Sequence, residues 1–269
     1  MQPNINDAQK LLASRVEDHL RLSERGELVC GNFLTPCEAA FAMSVARELR
    51  AADRVFLFGG YSDAERKRLI ALPSFVSDLD GEAEDKARAY FSDEMADAAR
   101  AIRIKGSGYR ELGHRDYLGS ILSLGIERCS IGDVVVMDEY SAVVFCTRKI
   151  FDYLMGGIER VANDKVTVEE FIPDESFGSK REFLDVRDTV ASDRLDCVVG
   201  ALANLAREKA QNLIRSGLCE VNYLPEERVD ACVKTPCVVT LRGFGKYNVL
   251  RFDGETKRGR LRLIAQKYV

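Results

Sequence analysis

"RLDCVVGALANLAREKAQNLIRSGLCEVN", residues 194–222, is the stretch that decides the fold of the C-terminal part of the chain. Its pattern predicts a helix that is capped by Asp193 and ends near Leu202. A second helix follows and ends at Ser216, because Gly217 is the residue type that most often terminates helices. The apolar "LCEVN" after it predicts a strand. We therefore expect two short helices that lean on a small, mostly antiparallel sheet.

The second helix has two unlike faces. Its apolar residues form one stripe, whereas Arg207, Gln211 and Arg215 recur at spacings of four and form a neighbouring stripe. Lys209 flanks the other side. One face packs, and the other carries cations and an amide. Such a face is either an ordinary solvated surface or a surface that holds a phosphate backbone.

Charge is distributed unevenly along the chain. The 269 residues include 39 Lys and Arg and 43 Asp and Glu, for a net charge of −4. Residues 192–269 hold 14 basic and 9 acidic side chains, whereas the residues before them hold 25 and 34. The C-terminal third is the basic end of an acidic protein, which points to contact with nucleic acid or a membrane surface.

Membrane insertion and secretion are disfavoured by the sequence. The longest apolar runs are the length of a strand, far short of the roughly 20 residues that a membrane span needs. The first ten residues contain no apolar segment of a secretory signal. We expect a cytoplasmic protein without membrane contact.

The cysteines and histidines predict no metal site. Eight cysteines form no C-x-x-C pair, and the chain has only two histidines. A cytoplasmic chain of this kind is expected to keep its thiols reduced. The sequence predicts no catalytic residue, no metal ligand and no cofactor.

Residues 1–77 predict an N-terminal domain of mixed α/β type. "TPCEAAFAMSVARELR" (35–50) opens with Thr35, a proline at the next position and Glu38 three residues after the threonine. This is the capping box of a helix start. "RVFLFGGY" (54–61) predicts a buried strand that ends in two glycines.

"SDAERKRLIALP" (62–73) predicts a second capped helix, with Ser62 and Glu65 as its capping box. A helix would place three basic residues within one turn. They form either a solvated helix face or an additional RNA contact. These residues are Arg66, Lys67 and Arg68.

Residues 78–175 predict a middle domain. Its acidic start, "DLDGEAEDKARAYFSDE" (78–94), predicts an exposed connector or helix between domains. From Ala98 to Phe171 the predicted elements follow the order β-α-β-β-α-β. This order is typical of the α/β plait, the ferredoxin-like and RRM-like arrangement whose sheet carries two helices on one face and leaves the other free. The strands lack the aromatic residues with which RNA-recognition domains stack bases.

"GSGYRELGHRDYLGSILSLGI" (106–126) predicts a glycine-rich loop that leads into a helix near His114. It does not complete the nucleotide-binding pattern G-x-G-x-x-G, because Glu111 occupies the third glycine position. The loop either only caps the helix or lets an anion bind at the helix N-terminus beside Arg110 and Arg115.

The tail "KRGRLRLIAQKYV" (257–269) alternates basic and apolar residues. This alternation predicts a strand with Arg260 and Arg262 on one face. The strand is either a basic surface or a solvated edge strand at the end of the sheet.

These motifs resemble one known RNA-binding domain and one known protein family. "RLD", "AREKAQNLIRSGLCEVN" and "VVTLRGFGKY" resemble the RNA-binding domain first known from small-subunit ribosomal protein four, called here the S-four domain. "FLTPCEAAFA", "GGYSDAERKRLIALP" and "LGHRDYLGSILSLGIERCSIGDVVV" resemble the YlmH family of bacterial RNA-binding proteins along almost the whole chain. The resemblance implies an α+β protein with an N-terminal domain, a plait-like middle domain and an S-four domain within residues 192–269.

The resemblance also implies a function. Proteins of this family are associated with ribosome-associated quality control, in which they bind the obstructed large ribosomal subunit together with peptidyl-tRNA. The expected partners are therefore ribosomal RNA and peptidyl-tRNA, with a monomer away from the ribosome. The residues implied as RNA-binding are Arg194, Asp196, Arg207, Lys209, Gln211, Arg215 and Asn222.

The chain departs from the S-four pattern in two places. The serine that the family has before Arg207 is Ala206 here, and the usual Gly-Asp turn is replaced by "KTPC" (234–237). Among the implied residues, Asp196 fits an orienting partner for Arg194 better than a phosphate contact, since a bare carboxylate and a phosphate repel each other.

Two alternatives stay open in the sequence. S-four domains also occur on enzymes that modify ribosomal RNA, although no catalytic motif of such an enzyme is present, and the prediction is a non-enzymatic protein. An adaptor protein linked to cell division would use the acidic N-terminal two-thirds as its docking surface.

Overall fold

The computed structural model describes residues 7–174, 176–178 and 183–269. The chain divides into two compact units, Met1–Ser179 and Lys180–Val269. Three sheets, all with antiparallel pairing between the described strands, are combined with helices in both units. The expected mixed α+β class is thereby confirmed. No helix in the described ranges is both long and apolar enough to cross a membrane.

The first unit begins with a three-stranded sheet between two layers of helices. The strands have the order β1-β3-β2. α1 and α2 pack on one face, and α3 and α4 pack on the other. The elements are α1 (Asp7–Ser23), β1 (Val29–Leu34), α2 (Pro36–Glu48), β2 (Val55–Phe58), β3 (Lys67–Ala71), α3 (Ala83–Tyr90) and α4 (Ser92–Ala98).

The predicted capping box of α2 is confirmed. The Glu38 backbone N–H donates to Thr35 Oγ1 at 3.3 Å, and the Thr35 backbone N–H donates to Glu38 Oε2 at 2.7 Å. Two donors at the helix start are satisfied by side chains only three residues apart. Short-range chemistry of this kind is directly readable from sequence.

The predicted helix over 62–73 is wrong, because its second half is the central strand β3. Leu69 and Ala71 face α1 and α2, whereas Ile70 faces α3 and α4. A strand buried on both faces has no polar alternation, so its apolar run is easily taken for a helix. Lys67 and Arg68 belong to this strand and Arg66 directly precedes it, so the three basic residues do not share a helical turn.

Of the two alternatives for residues 78–94, the structure has helices there, and the exposed connector is wrong. Ala87, Phe91 and Met95 of α3 and α4 are buried against Phe56 and Ile70 of the sheet. The acidic residues lie on the outer side of two short amphipathic helices. Two helices thus complete the N-terminal sandwich.

The middle of the first unit has the predicted β-α-β-β-α-β order with one added two-residue strand. Its sheet has the order β5-β6-β4-β8-β7, and α5 and α6 pack on one face. The elements are β4 (Arg100–Gly106), α5 (His114–Ser123), β5 (Ile131–Asp138), β6 (Ser141–Cys146), α6 (Arg148–Gly157), β7 (Arg160–Val161) and β8 (Asp164–Phe171).

The second face of this sheet is covered, contrary to the expectation that it is free. The ring of Tyr61 stacks on Phe145 with centroids 4.8 Å apart, and Phe177 meets Tyr61 edge-on at 5.3 Å. Phe33 of β1 is buried in the same cluster. Beyond this cluster, Lys105 forms a 2.7 Å ion pair on the sheet. Base stacking on the covered part of this face is excluded.

The second unit is a six-stranded sheet with two helices on one face. The strand order is β11-β10-β12-β13-β14-β9, and the helices bury their apolar stripes in a single core. The elements are β9 (Phe183–Val190), α7 (Leu195–Leu202), α8 (Arg207–Arg215), β10 (Cys219–Val221), β11 (Leu224–Pro225), β12 (Cys237–Leu241), β13 (Gly245–Glu255) and β14 (Leu261–Tyr268).

The C-terminal strand is an interior strand. β14 pairs with β13 on one side and with β9 on the other, so the interpretation as a solvated edge strand is wrong. Leu263 and Ala265 face the core, and Arg262 is exposed on the opposite side. β9 precedes residue 192, where the resemblance begins, and it lengthens the sheet by one strand.

Candidate nucleic-acid interface

α7 and α8 form a helical surface as the sequence predicts, but the N-cap residue of α7 is Arg194 and no side chain caps this helix, so the predicted cap by Asp193 is wrong. Their tight connection is held by a hydrogen bond of 2.8 Å from the Leu205 backbone N–H to the Gly200 carbonyl. Asn204 adopts a φ of +51° in this turn, a conformation that asparagine tolerates better than most residues. Gly217 ends α8 with a φ of +67°. The expected apolar stripe of α8 is buried: Ala210, Leu213 and Ile214.

The side chain of Asp196 is buried beneath this surface and connects three of the residues that form it. Its side chain has 0% of its area exposed. Arg194 donates from Nε to Oδ1 at 3.1 Å, Arg207 donates from Nε to Oδ2 at 3.1 Å, and Gln211 donates from Nε2 to Oδ2 at 2.8 Å. One carboxylate therefore joins the start of α7 to two successive turns of α8.

The pKa of Asp196 shows whether burial or hydrogen bonding has the larger effect on this carboxyl group. Burial by itself raises the pKa of this carboxyl, but hydrogen bonds from Arg194, Gln211 and Arg207 outweigh it and hold the pKa well below its usual range. The group is thus ionised at every physiological pH. A buried carboxylate is tolerated here because charged partners satisfy it.

The arginines that Asp196 holds are still accessible. The side chain of Arg194 is 39% exposed and that of Arg207 is 64% exposed. Lys209 and Arg215 are exposed on α8 as well. A guanidinium group offers five N–H donors, so the bonds to Asp196, through Nε in Arg207 and through Nε and Nη2 in Arg194, leave others available for a phosphate. The geometry supports an orienting role for Asp196, as the sequence favoured.

Asn222, also implied as RNA-binding, lies in the turn between β10 and β11. Its Oδ1 accepts from the Val238 backbone N–H at 2.9 Å, and its own backbone N–H donates to the Val238 carbonyl at 2.7 Å. With a φ of +49°, Asn222 closes a tight turn. Its carboxamide oxygen is occupied by the backbone of β12.

Ala206 is the N-cap residue of α8, and no side chain caps this helix. The backbone of Ala206 is extended, as an N-cap requires, but alanine has no oxygen to accept from the first turn. Alanine in place of the family's serine therefore leaves this helix start without a side-chain acceptor.

In the first unit Arg68 is buried and Arg66 is partly buried. Arg68 is 7% exposed and donates to the carbonyls of Gly31, Cys30 and Ala98. Burial lowers its pKa. Arg66 donates to the carbonyls of Ile131 and Phe33, each at 3.1 Å. These two arginines connect strands to one another. Their neighbour Lys67 is partly exposed at the start of β3.

The remaining candidates lie in different surroundings. Arg110 approaches Asp116 at 3.5 Å, and Asp116 also accepts from the Gly113 backbone N–H at the start of α5. Arg115 is exposed on that helix. Since Asp116 already occupies the helix N-terminus, the structure offers little for a second anion there. In the second unit, Arg260 donates from Nε to Thr189 Oγ1 at 3.1 Å.

The contacts of Arg260 were not predicted from the sequence. Thr189 lies 71 positions earlier, and only the pairing of β14 with β9 brings the two together. No local signal links them. Within the described ranges no group of three or more His, Cys, Asp or Glu residues could hold a metal ion.

Comparison with known proteins defines the class. Residues 101–175 match the family model described as "Putative RNA-binding domain in YlmH". Residues 101–175 are therefore similar to the RNA-binding domain that this model describes, and the resemblance to the YlmH family found in the sequence is confirmed.

One curated relative covers nearly the whole chain. It is the Bacillus subtilis (strain 168) protein named "Ribosome-associated protein quality control protein P2", which is 26% identical over 248 residues, 91% of this chain and 90% of the relative. A solved structure titled "Cell division protein ylmH from Streptococcus pneumoniae" matches with a TM-score of 0.47 and 14% identity, over 64% of this chain and 95% of that one.

Proposed function

We propose that the protein binds ribosomal RNA and peptidyl-tRNA on the large ribosomal subunit and acts, without catalysis, in quality control of stalled translation in the cytoplasm. The observation that carries this proposal is the buried Asp196, which holds Arg194, Arg207 and Gln211 in place on an exposed, net basic surface. The name of the B. subtilis relative supports the ribosomal setting.

The proposal includes the fold types of the domains. The β-α-β-β-α-β order and the sheet order β5-β6-β4-β8 support an α/β plait in the middle domain. The α7–α8 pair on an antiparallel sheet supports an S-four domain within 192–269. We place the start of the middle domain at β4 rather than at residue 78, because α3 and α4 pack on the N-terminal sheet.

RNA binding would depend on neutralisation of phosphate charges and on the shape of the RNA. Each phosphate that an arginine or lysine neutralises releases counterions, so affinity falls as salt rises. The RNA-contacting set supported best is Arg194, Arg207, Lys209, Gln211 and Arg215, oriented by Asp196. Arg207 and Arg215 can also donate two parallel bonds to one phosphate, which lysine cannot do.

Sedimentation of ribosomal particles tests this function. Tagged wild-type protein is expected to migrate with free large subunits and to dissociate as salt is raised. The variant Arg207→Glu/Lys209→Glu is expected to stay at the top of the gradient. Co-migration that neither salt nor this variant changes would contradict the proposal.

A matched control distinguishes an effect of the α7–α8 surface from an effect of the net charge of the protein. Lys10→Glu/Arg21→Glu makes the same change in net charge on α1, where both residues form only exposed pairs with neighbouring carboxylates. This control is expected to migrate like wild type. If both double variants dissociate equally, the general charge of the protein accounts for binding and the α7–α8 surface does not.

A further inference from the structure

A cavity of about 300 Å³ lies beside the α7–α8 surface in the second unit. Arg207 at the start of α8 lines it, and so does Arg260 just before β14. We propose that this cavity receives one unpaired nucleotide of the bound RNA. The inference rests on the proposed RNA binding and adds to it the kind of RNA that the surface selects.

Both arginines at the cavity are held by other side chains. Asp196 accepts from Arg207 Nε at 3.1 Å, and Thr189 Oγ1 accepts from Arg260 Nε at 3.1 Å. Arg260 Nη2 also donates to the Thr189 carbonyl. Because each guanidinium is anchored through part of its donors, its plane has a defined position before RNA binds. Preorganised groups lose less entropy on binding than free ones.

Part of the remaining lining of the cavity is small and apolar. Cys197, Gly200 and Ala201 contribute from α7, and the buried Val190 contributes from the end of β9. A Cβ on Gly200 would lie 3.2 Å from the Leu205 carbonyl oxygen, so the helix connection packs closely on α7. Small side chains leave space for a flat apolar group, and guanidinium planes are surfaces on which bases stack.

The lining also contains polar groups, which are the buried Asp196 that holds Arg207 and others that suit the edge of a base. The exposed Asn204 lines the cavity from the α7–α8 turn, and Thr189 and Asp188 line it from β9. A carboxamide and a carboxylate can pair with the donors and acceptors of a nucleobase. In a duplex these base edges are already paired, so only an unpaired nucleotide can use them.

The volume limits the ligand to a single nucleotide unit. Pockets for small molecules commonly measure about 300–1,000 Å³, and this cavity is at the lower end of that range. The neighbouring phosphates would lie outside, where Arg207, Lys209 and Arg215 are exposed. One base in the cavity and its backbone on α8 form a consistent arrangement.

The test compares two RNA hairpins of identical stem, one fully paired and one with a single bulged adenosine, by fluorescence anisotropy with the full chain. Wild type is expected to bind the bulged RNA about tenfold more tightly, the size expected for one stacked base. Ala201→Leu, which narrows the cavity, is expected to remove this preference and to leave affinity for the paired RNA unchanged.

Two further variants test whether a lost preference for the bulged RNA results from misfolding of the protein. Ala231→Leu narrows a different cavity of the same unit, lined also by Leu195 and Cys232, and is expected to keep the preference. Asn204→Gly tolerates the φ of +51° and removes the carboxamide, so a reduced preference is expected without loss of folding.

Each result has a defined meaning. Equal affinity of wild type for both hairpins, or a preference that survives Ala201→Leu, would overturn the cavity assignment while leaving RNA binding intact. Failure to bind either hairpin at low salt would contradict the proposed function itself, and the cavity assignment with it. Tight binding of free adenosine monophosphate in the absence of RNA would assign the cavity to soluble nucleotides instead.

Discussion

Arginines serve different purposes in the two units. In the first unit, Arg66 and Arg68 donate to main-chain carbonyls of neighbouring strands. In the second unit, Arg194 and Arg207 donate to the buried carboxylate of Asp196 and stay exposed at their outer side. The acceptor decides the role of the arginine. Carbonyls inside a fold consume the donors of an arginine, whereas a carboxylate beneath the surface orients the arginine toward a partner.

The largest effect is expected for Arg68→Ala. Three main-chain carbonyls would lose a donor and a cavity would form, so the free energy of unfolding should fall by about 3 kcal/mol or more. Thermal or urea unfolding measures this. Arg21→Ala, which removes an exposed pair on α1, should change stability by less than about 0.5 kcal/mol. Similar losses in both variants would show that the hydrogen bonds of Arg68 to main-chain carbonyls do not stabilise the first unit.

The next effect is expected for Asp196→Asn, which keeps the shape of the side chain and removes its charge. Simple electrostatics predicts tighter RNA binding, because a negative charge is lost. Orientation by Asp196 predicts the reverse, a loss of about tenfold together with about 2 kcal/mol of stability. Anisotropy with a hairpin RNA decides between the two. Tighter binding would show that Asp196 does not position the arginines.

The same variant tests the pH dependence of stability. The pKa of Asp196 is lower in the folded chain than the value of about 3.9 expected in the unfolded chain. Its contribution is therefore complete above about pH 4 and is lost as the pH falls below that value toward the folded-state pKa. The stability difference between wild type and Asp196→Asn should shrink below about pH 4. A constant difference down to pH 2.5 would contradict the lowered pKa.

A smaller effect is expected for Arg215→Ala. Arg215 is exposed on α8, and its removal should reduce the slope of log affinity against log salt by about 0.7 to 0.9, the contribution of one phosphate contact. Arg66→Met should leave that slope unchanged, since the donors of Arg66 point into the fold. An equal change of slope in both variants would erase the distinction between the two kinds of arginine.

The smallest effect is expected for Ala206→Ser. A serine at the N-cap of α8 can accept from the first turn and should stabilise the protein by about 1 kcal/mol. Unfolding in urea measures the gain. Because α8 presents Arg207, RNA affinity should rise slightly or stay the same. A loss of stability would show that the N-cap geometry cannot use a hydroxyl group.

Much of the fold was predictable from local pattern. The capping box of Thr35, the β-α-β-β-α-β order and the pair α7–α8 were all expected and are all present. The errors have a common cause. β3 is buried on both faces, the helices over 83–98 pack on a sheet formed earlier in the chain, and the second face of the middle sheet is covered by Phe33 and Tyr61. Each of these depends on contacts between distant segments.

The sequence by itself determined where α2 begins, which face of α8 is apolar, and that the C-terminal third is basic. These properties depend on neighbours within a few positions or on composition alone. Only the tertiary structure decided which arginines reach the surface. Arg68 meets its acceptors 30 or more positions away, and Arg260 meets Thr189 across 71. A guanidinium group is long and can donate in several directions, so its role follows from the acceptors that the fold brings to it.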